Sequence, residues 1–226
     1  MNTELIFPFL QELSENNNRE WFHQNKPRYE QMMQEIELFV NQWLEQISTL
    51  EPYATALTPK DCIWRIYRDI RFSPDKRPYK HWVGCWIAKN GGKKSPYGGY
   101  YVHFQPNACM FAAGIWGPEP NLLKALRQSV YDNYEEVEDI FAEPAFHKLF
   151  KDFDTEWMLK RVPNGYPQDW LHSDWLKHKN YTISCPITEK QVANKNFVSH
   201  VIDLCQTAKP INEFLNYTVD EMYGNL

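Results

Sequence analysis

The stretch Gly99-Tyr100-Tyr101-Val102-His103-Phe104-Gln105-Pro106-Asn107-Ala108-Cys109-Met110-Phe111-Ala112-Ala113-Gly114-Ile115-Trp116 decides the fold. Up to Gln105 the residues alternate. Tyr100, Val102 and Phe104 fall on one face and Tyr101, His103 and Gln105 on the other, the period-two signature of a half-buried strand. Pro106-Asn107 is a turn signal, after which Ala108 to Trp116 forms a second apolar run. A link this short suits a hairpin, because a parallel crossover needs about a dozen residues or more. The same pattern extends backward to Cys62–Phe72 and His81–Ala88, with turn signals at Ser73-Pro74-Asp75 and Asn90-Gly91-Gly92. A mainly antiparallel sheet over residues 60–117 is therefore expected.

Outward from this block the period changes. Residues 1–58 read as helical, with Asn17 and Glu20 spaced as a capping box and Pro27 placed to open a longer helix. From Tyr29 to Ile47, apolar residues recur every three or four positions, a stripe that faces a core. Residues 118–226 read as helical with one added strand, Tyr181 to Ile187. Trp170 to Lys177 is expected as a short helix. Thr188 and Gln191 are spaced as a capping box before a C-terminal helix that Pro210 should break or kink. The expected architecture is α+β: a central, mainly antiparallel sheet flanked by N- and C-terminal helices in a single domain.

Composition removes several classes of protein. The 9 Trp, 13 Tyr and 13 Phe, with 43% hydrophobic residues, are incompatible with a disordered chain. No apolar run is long enough to span a bilayer, so no membrane partner is expected. The start Met1-Asn2-Thr3-Glu4 has no basic segment of the secretory kind. Five cysteines without C-x-x-C spacing suit reduced, structural thiols and a cytoplasmic setting. The seven histidines show no metal-binding spacing, so no metal is expected. No cofactor motif is present, and nothing sets the oligomeric state. Gly91-Gly92-Lys93-Lys94-Ser95 lacks the spacing of a phosphate-binding loop.

Charge is distributed unevenly. The whole chain is at −5, yet residues 60–94 hold ten bases against three acids, or +7, and the remainder 14 bases against 26 acids, or −12. Such asymmetry points toward an anionic partner. The alternative is a basic strand and loop packed against the protein's own acidic helices. The run from Arg65 to Lys80, if extended through Phe72, puts Arg65, Tyr67, Asp69 and Arg71 on one face. Ile66, Arg68, Ile70 and Phe72 would lie on the other. Guanidinium groups suit bidentate recognition of phosphate or carboxylate. We expect Arg65, Arg68, Arg71, Lys76 and Lys80 to contribute cations and Tyr67 and Tyr79 to orient the ligand. Asp69 and His103 are the acid/base candidates for any turnover. Arg68, among apolar neighbours, calls for a protein carboxylate. Asp75 and Lys76 could close the turn as an ion pair.

At this run the sequence resembles a mostly bacterial family, domain of unknown function 2461. Its R-x-x-R-D-x-R-F and D-K-x-x-Y signature is met by Arg65, Arg68, Asp69, Arg71, Phe72, Asp75, Lys76 and Tyr79. The likeness extends to Phe9-Leu10, Asn17-Asn18-Arg19-Glu20-Trp21-Phe22, Asn25-Lys26, Gly99–His103, Gly114–Glu119 and Leu126-Arg127. It implies membership and a cytoplasmic setting, and carries no activity. Three functional readings follow from the residues. The first is a site for a phosphorylated or carboxylated small molecule. The second is a nucleic-acid-binding module built on the basic patch, which the pI near 5.8 disfavours. The third is a structural or interaction protein whose Arg/Asp run is an internal ion-pair network.

Overall fold

Three of the four strands pair as the hairpin reading requires. The computed structural model describes residues 1–224, in which β1 (Val83–Ala88), β2 (Gly99–Phe104), β3 (Met110–Ile115) and β4 (Tyr181–Pro186) form one antiparallel sheet in that order. Cys85 pairs with Val102, Val102 with Phe111, and Phe111 with Cys185. The inward row is therefore apolar from edge to edge, as the alternation requires. Gly114, at φ +115°, lets β3 approach β4 closely, because a Cβ there would lie 2.1 Å from the Tyr181 carbonyl oxygen.

The helices are α1 (Thr3–Glu15), α2 (Arg19–Gln24), α3 (Lys26–Ile47), α4 (Pro59–Cys62), α5 (Pro120–Asp132), α6 (Tyr134–Ala142), α7 (Pro144–Leu149), α8 (Glu189–Val192) and α9 (Phe197–Tyr223). Chains of buried apolar residues in α3 and α9 meet the sheet's inward face. Phe39 of α3 lies 5.3 Å, ring to ring, from both Phe104 of β2 and Phe197 of α9. All three are at most 2% exposed. Full burial of a ring this size is worth about 1.5–3 kcal/mol, so this layer dominates the fold's stability. Polar clamps fix its edges. The Asn216 side chain accepts from Gly98 N at 2.7 Å and donates to Gly98 O at 3.2 Å.

Several local expectations are corrected. Cys62–Phe72 is not a sheet strand: it leaves α4 and makes only isolated bridges, Ile63 to Cys85 and Tyr67 to Tyr79. The cap of α2 is Asn18, not Asn17, accepting from Trp21 N at 2.9 Å. The Thr188/Gln191 box is present, but it caps the four-residue α8 rather than the long helix. Within the expected Trp170–Lys177 helix only Trp175–Lys177 forms a 3-10 turn. The C-terminal helix runs through Pro210 unbroken to Tyr223. Among the described residues no helix is long and apolar enough to cross a membrane, and no three His, Cys, Asp or Glu residues converge as a metal site. All five cysteines are buried free thiols.

Candidate functional site

Residues 63–80 form an arm that leaves the sheet edge and doubles back. Its two sides are tied by Arg68 N to Pro78 O at 2.9 Å and Lys80 N to Ile66 O at 2.8 Å. Tyr67 and Tyr79 lie across from each other between those bonds, with ring centroids 5.4 Å apart. The arm docks on the α1–α2 corner through Asn17. The Asn17 amide donates to Tyr79 O at 2.9 Å and accepts from Tyr79 N at 3.1 Å, pairing with the backbone as a neighbouring strand would. Phe22 of α2 stacks on Tyr79 at 4.0 Å and 17°, and meets Tyr67 edge-on at 6.0 Å.

Between α2 and the arm this docking leaves an open cleft of about 670 Å³. Arg19, His23 and Lys26 supply one wall, Tyr67, Arg68 and Tyr79 the other, and Phe22 the apolar floor; Glu20 also faces the space. Of the cations, Arg68 pairs with Asp75 at 2.7 Å and Lys26 with Glu30 at 3.7 Å. Arg19 makes no ion pair or side-chain hydrogen bond among the described residues, and neither tyrosine hydroxyl has a hydrogen-bond partner there. Burial raises the Tyr79 phenol's pKa, with Tyr67 adding to the rise, while the Arg19 guanidinium opposes it.

The expected site residues thus divide among three places. Tyr67, Arg68 and Tyr79 line the cleft. The tip of the arm holds the Asp69–Arg71 pair at 2.6 Å, with Asp69 pulled below the ordinary carboxylate range by that hydrogen bond. Asp75 there binds Arg68 and Arg77, not Lys76 as an expected turn-closing pair would have it. The Lys76 ammonium donates instead to Ile70 O at 3.0 Å. Arg68 has the protein carboxylate that its surroundings called for. Arg65 also bears on Asp69, adding to the lowering of its pKa, whereas Tyr67 lines the cleft.

Lys80 and His103 occupy the third place, on and beside the outward face of the sheet, with Trp82 between them, and Arg65 bears on both Lys80 and Asp69. Gly84 makes room there for Tyr101, since a Cβ on it would lie 2.5 Å from the Tyr101 hydroxyl oxygen. Tyr101 Oη donates to His103 Nδ1 at 2.8 Å, and His103 Nε2–H donates to Gln105 Oε1 at 3.0 Å. Both ring nitrogens are engaged, and burial holds the His103 pKa below its ordinary value. This is a hydrogen-bonded histidine, outside the lining of the cleft.

Nothing in the local sequence marks Arg19, His23 and Lys26 as site residues. Arg19 and Lys26 fall within the Asn17–Phe22 and Asn25–Lys26 likeness, and the signal that joins them to the arm is the long-range Asn17–Tyr79 clamp.

A family profile described as "Conserved hypothetical protein (DUF2461)" matches residues 5–214, nearly the whole chain. No curated protein and no solved structure matches. The two stretches that wall the cleft, 17–26 and 67–79, both fall inside the matched span, and the chain belongs to the DUF2461 family.

Proposed function

We propose that the protein binds a small phosphorylated or carboxylated molecule in the cleft between α2 and the arm. The observation that carries this reading is that Arg19, with no carboxylate partner among the described residues, lines one cavity with Tyr67 and Tyr79, whose hydroxyls have no hydrogen-bond partner among those residues. An anionic oxygen would accept from all three, with Arg68 adding charge from the opposite wall. Tyr67, half exposed, and Phe22 offer an apolar surface to the rest of the ligand. Asp69 and His103 lie outside the lining, so the reading is one of binding rather than turnover. The setting we propose is cytoplasmic, in keeping with five reduced thiols.

The test is thermal denaturation of wild type and Arg19→Gln with phosphate, pyrophosphate, citrate, a sugar phosphate and AMP. A ligand at about 100 times its Kd stabilises by roughly 2.7 kcal/mol, or about 5–10 °C for a chain of this size. One anion should shift wild type and leave Arg19→Gln unmoved. A flat panel contradicts the reading.

A second reading rests on the arm's tip, where Phe72 is 93% exposed and the Arg71 guanidinium lies 5.8 Å from its ring centroid. Exposed rings among cations suit stacking on single-stranded nucleic acid. Binding of a short oligonucleotide that weakens steeply with salt, and is lost in Phe72→Ala, would favour it. The Asp69–Arg71 and Arg68–Asp75–Arg77 pairs favour the structural reading for those residues alone.

A further inference from the structure

The cleft between α2 and the arm holds a carboxylate that a plain anion leaves unused. Glu20 lines it beside Arg19, the two residues taking successive positions of α2. Arg68 and Lys26, also in the lining, have carboxylates of their own, Asp75 and Glu30. Neither Arg19 nor Glu20 makes an ion pair or a side-chain hydrogen bond among the described residues. Sequence spacing offers Glu20 a structural task, closing a capping box with Asn17. The structure gives the cap of α2 to Asn18, which accepts from Trp21 N at 2.9 Å, and Glu20 is released from that task. What remains to it structurally is the place of a carboxylate in a helix's first turn, a weak effect at an exposed position.

We propose that the ligand of this cleft is a small zwitterion with an apolar flank, a molecule that carries an ammonium as well as its carboxylate or phosphate. The proposal rests on the anion reading of the cleft and narrows it. The anionic end would take Arg19 and the tyrosine hydroxyls, and the ammonium would donate to Glu20. The apolar part would lie against Phe22, Ile70 and Pro78, which share the lining. A carboxylate inside an anion site repels any ligand that brings negative charge alone, so Glu20 selects against plain anions as well as for the ammonium. An analogue without the ammonium also leaves that carboxylate unmatched, which is how a site rejects a ligand lacking one polar group. Plain anions still bind through Arg19, but less tightly.

Two pairs of ligands that differ only in the ammonium test this: phenylalanine against 3-phenylpropanoate, and O-phosphoethanolamine against ethyl phosphate. Pyrophosphate serves as the plain-anion reference. Dissociation constants are taken at neutral pH from titrations of 15N-labelled wild type, Glu20→Gln and Arg19→Gln. In at least one pair the zwitterion should bind wild type about three- to ten-fold more tightly than its twin, the factor that one charged contact at a partly exposed position supplies. Glu20→Gln keeps the shape and removes the charge. It should erase that preference and tighten the plain anion, with the fold unchanged by circular dichroism because Glu20 is exposed. Plain anions that bind wild type as tightly as their zwitterionic twins, and are lost in Arg19→Gln, overturn the proposal and leave the anion site standing. So does binding of pyrophosphate with none of the four paired ligands. A preference that survives in Glu20→Gln overturns the role given to Glu20. No saturable binding by any of the five removes the cleft reading and this proposal together.

Discussion

The inward face of the sheet and the 63–80 arm hold together by different physics. On the inward face, Phe39, Phe104 and Phe197 interlock with almost no exposure, and polar groups enter only as satisfied clamps such as Asn216 on Gly98. The arm reuses the clamp, with Asn17 on Tyr79, but little of it is buried. Besides two backbone bonds between its sides, it is held by ion pairs within the arm itself: Arg68 to Asp75, Arg77 to Asp75, and Arg71 to Asp69. Exposed pairs of this kind contribute little to global stability. The first region makes the fold, whereas the second presents charge and aromatic rings at a stability it can spare, as binding segments commonly do.

Breaking the first region should produce the largest effect. Phe39→Ala is expected to cost about 3–5 kcal/mol, read as a lower midpoint in urea denaturation. An effect near zero would mean that α3 does not carry the core. Asn17→Ala should act mainly on the arm. It leaves the partly buried Tyr79 N–H and C=O unpaired, a loss of roughly 1–3 kcal/mol. Hydrogen exchange should show faster exchange at the Arg68 and Lys80 amides, with the inward strands still protected. Uniform loss across the molecule would erase the distinction between the regions.

Acid probes the seam between them. The pKa values of His81 and His103 are both lowered mainly by burial, His81 also by Arg77 and Arg68. The unfolded chain therefore takes up protons first as pH falls below about 6.5, and stability declines with pH through that window. Unfolding free energies between pH 7.5 and 5.5 should show this slope, and His103→Gln should flatten it. The smallest effect is expected for Arg71→Ala, whose pair with Asp69 is exposed. Its melting temperature should match wild type, and a large drop would make the signature a structural network after all.

Legibility in the sequence follows the same division. The hairpin at 99–116 could be read because alternation and a turn signal agree, and nothing distant overrides them. The arm could not. Asp69 Oδ1 accepts from Arg71 N at 3.2 Å and Asp75 Oδ1 from Arg77 N at 3.0 Å. These short-range side-chain bonds offer the backbone an alternative to a strand ladder. The capping box at Thr188 was visible because its reciprocal bonds are local. Arg19 and Lys26 as a cleft wall were not, because they reach the arm only through a clamp spanning 62 residues. Lys80 could be picked out as a cation, but Trp64 and Trp82, whose rings it meets, stand at opposite ends of the arm.

The central claim is that the cleft between α2 and the arm is a small-anion site. Its most direct test is a titration of 15N-labelled protein with pyrophosphate, followed amide by amide. Saturable shifts at residues 19–26 and 67–79, absent in Arg19→Gln, are the predicted result. Non-saturating shifts spread over Arg71, Arg77, Lys93 and Lys94, and unchanged in Arg19→Gln, would contradict it.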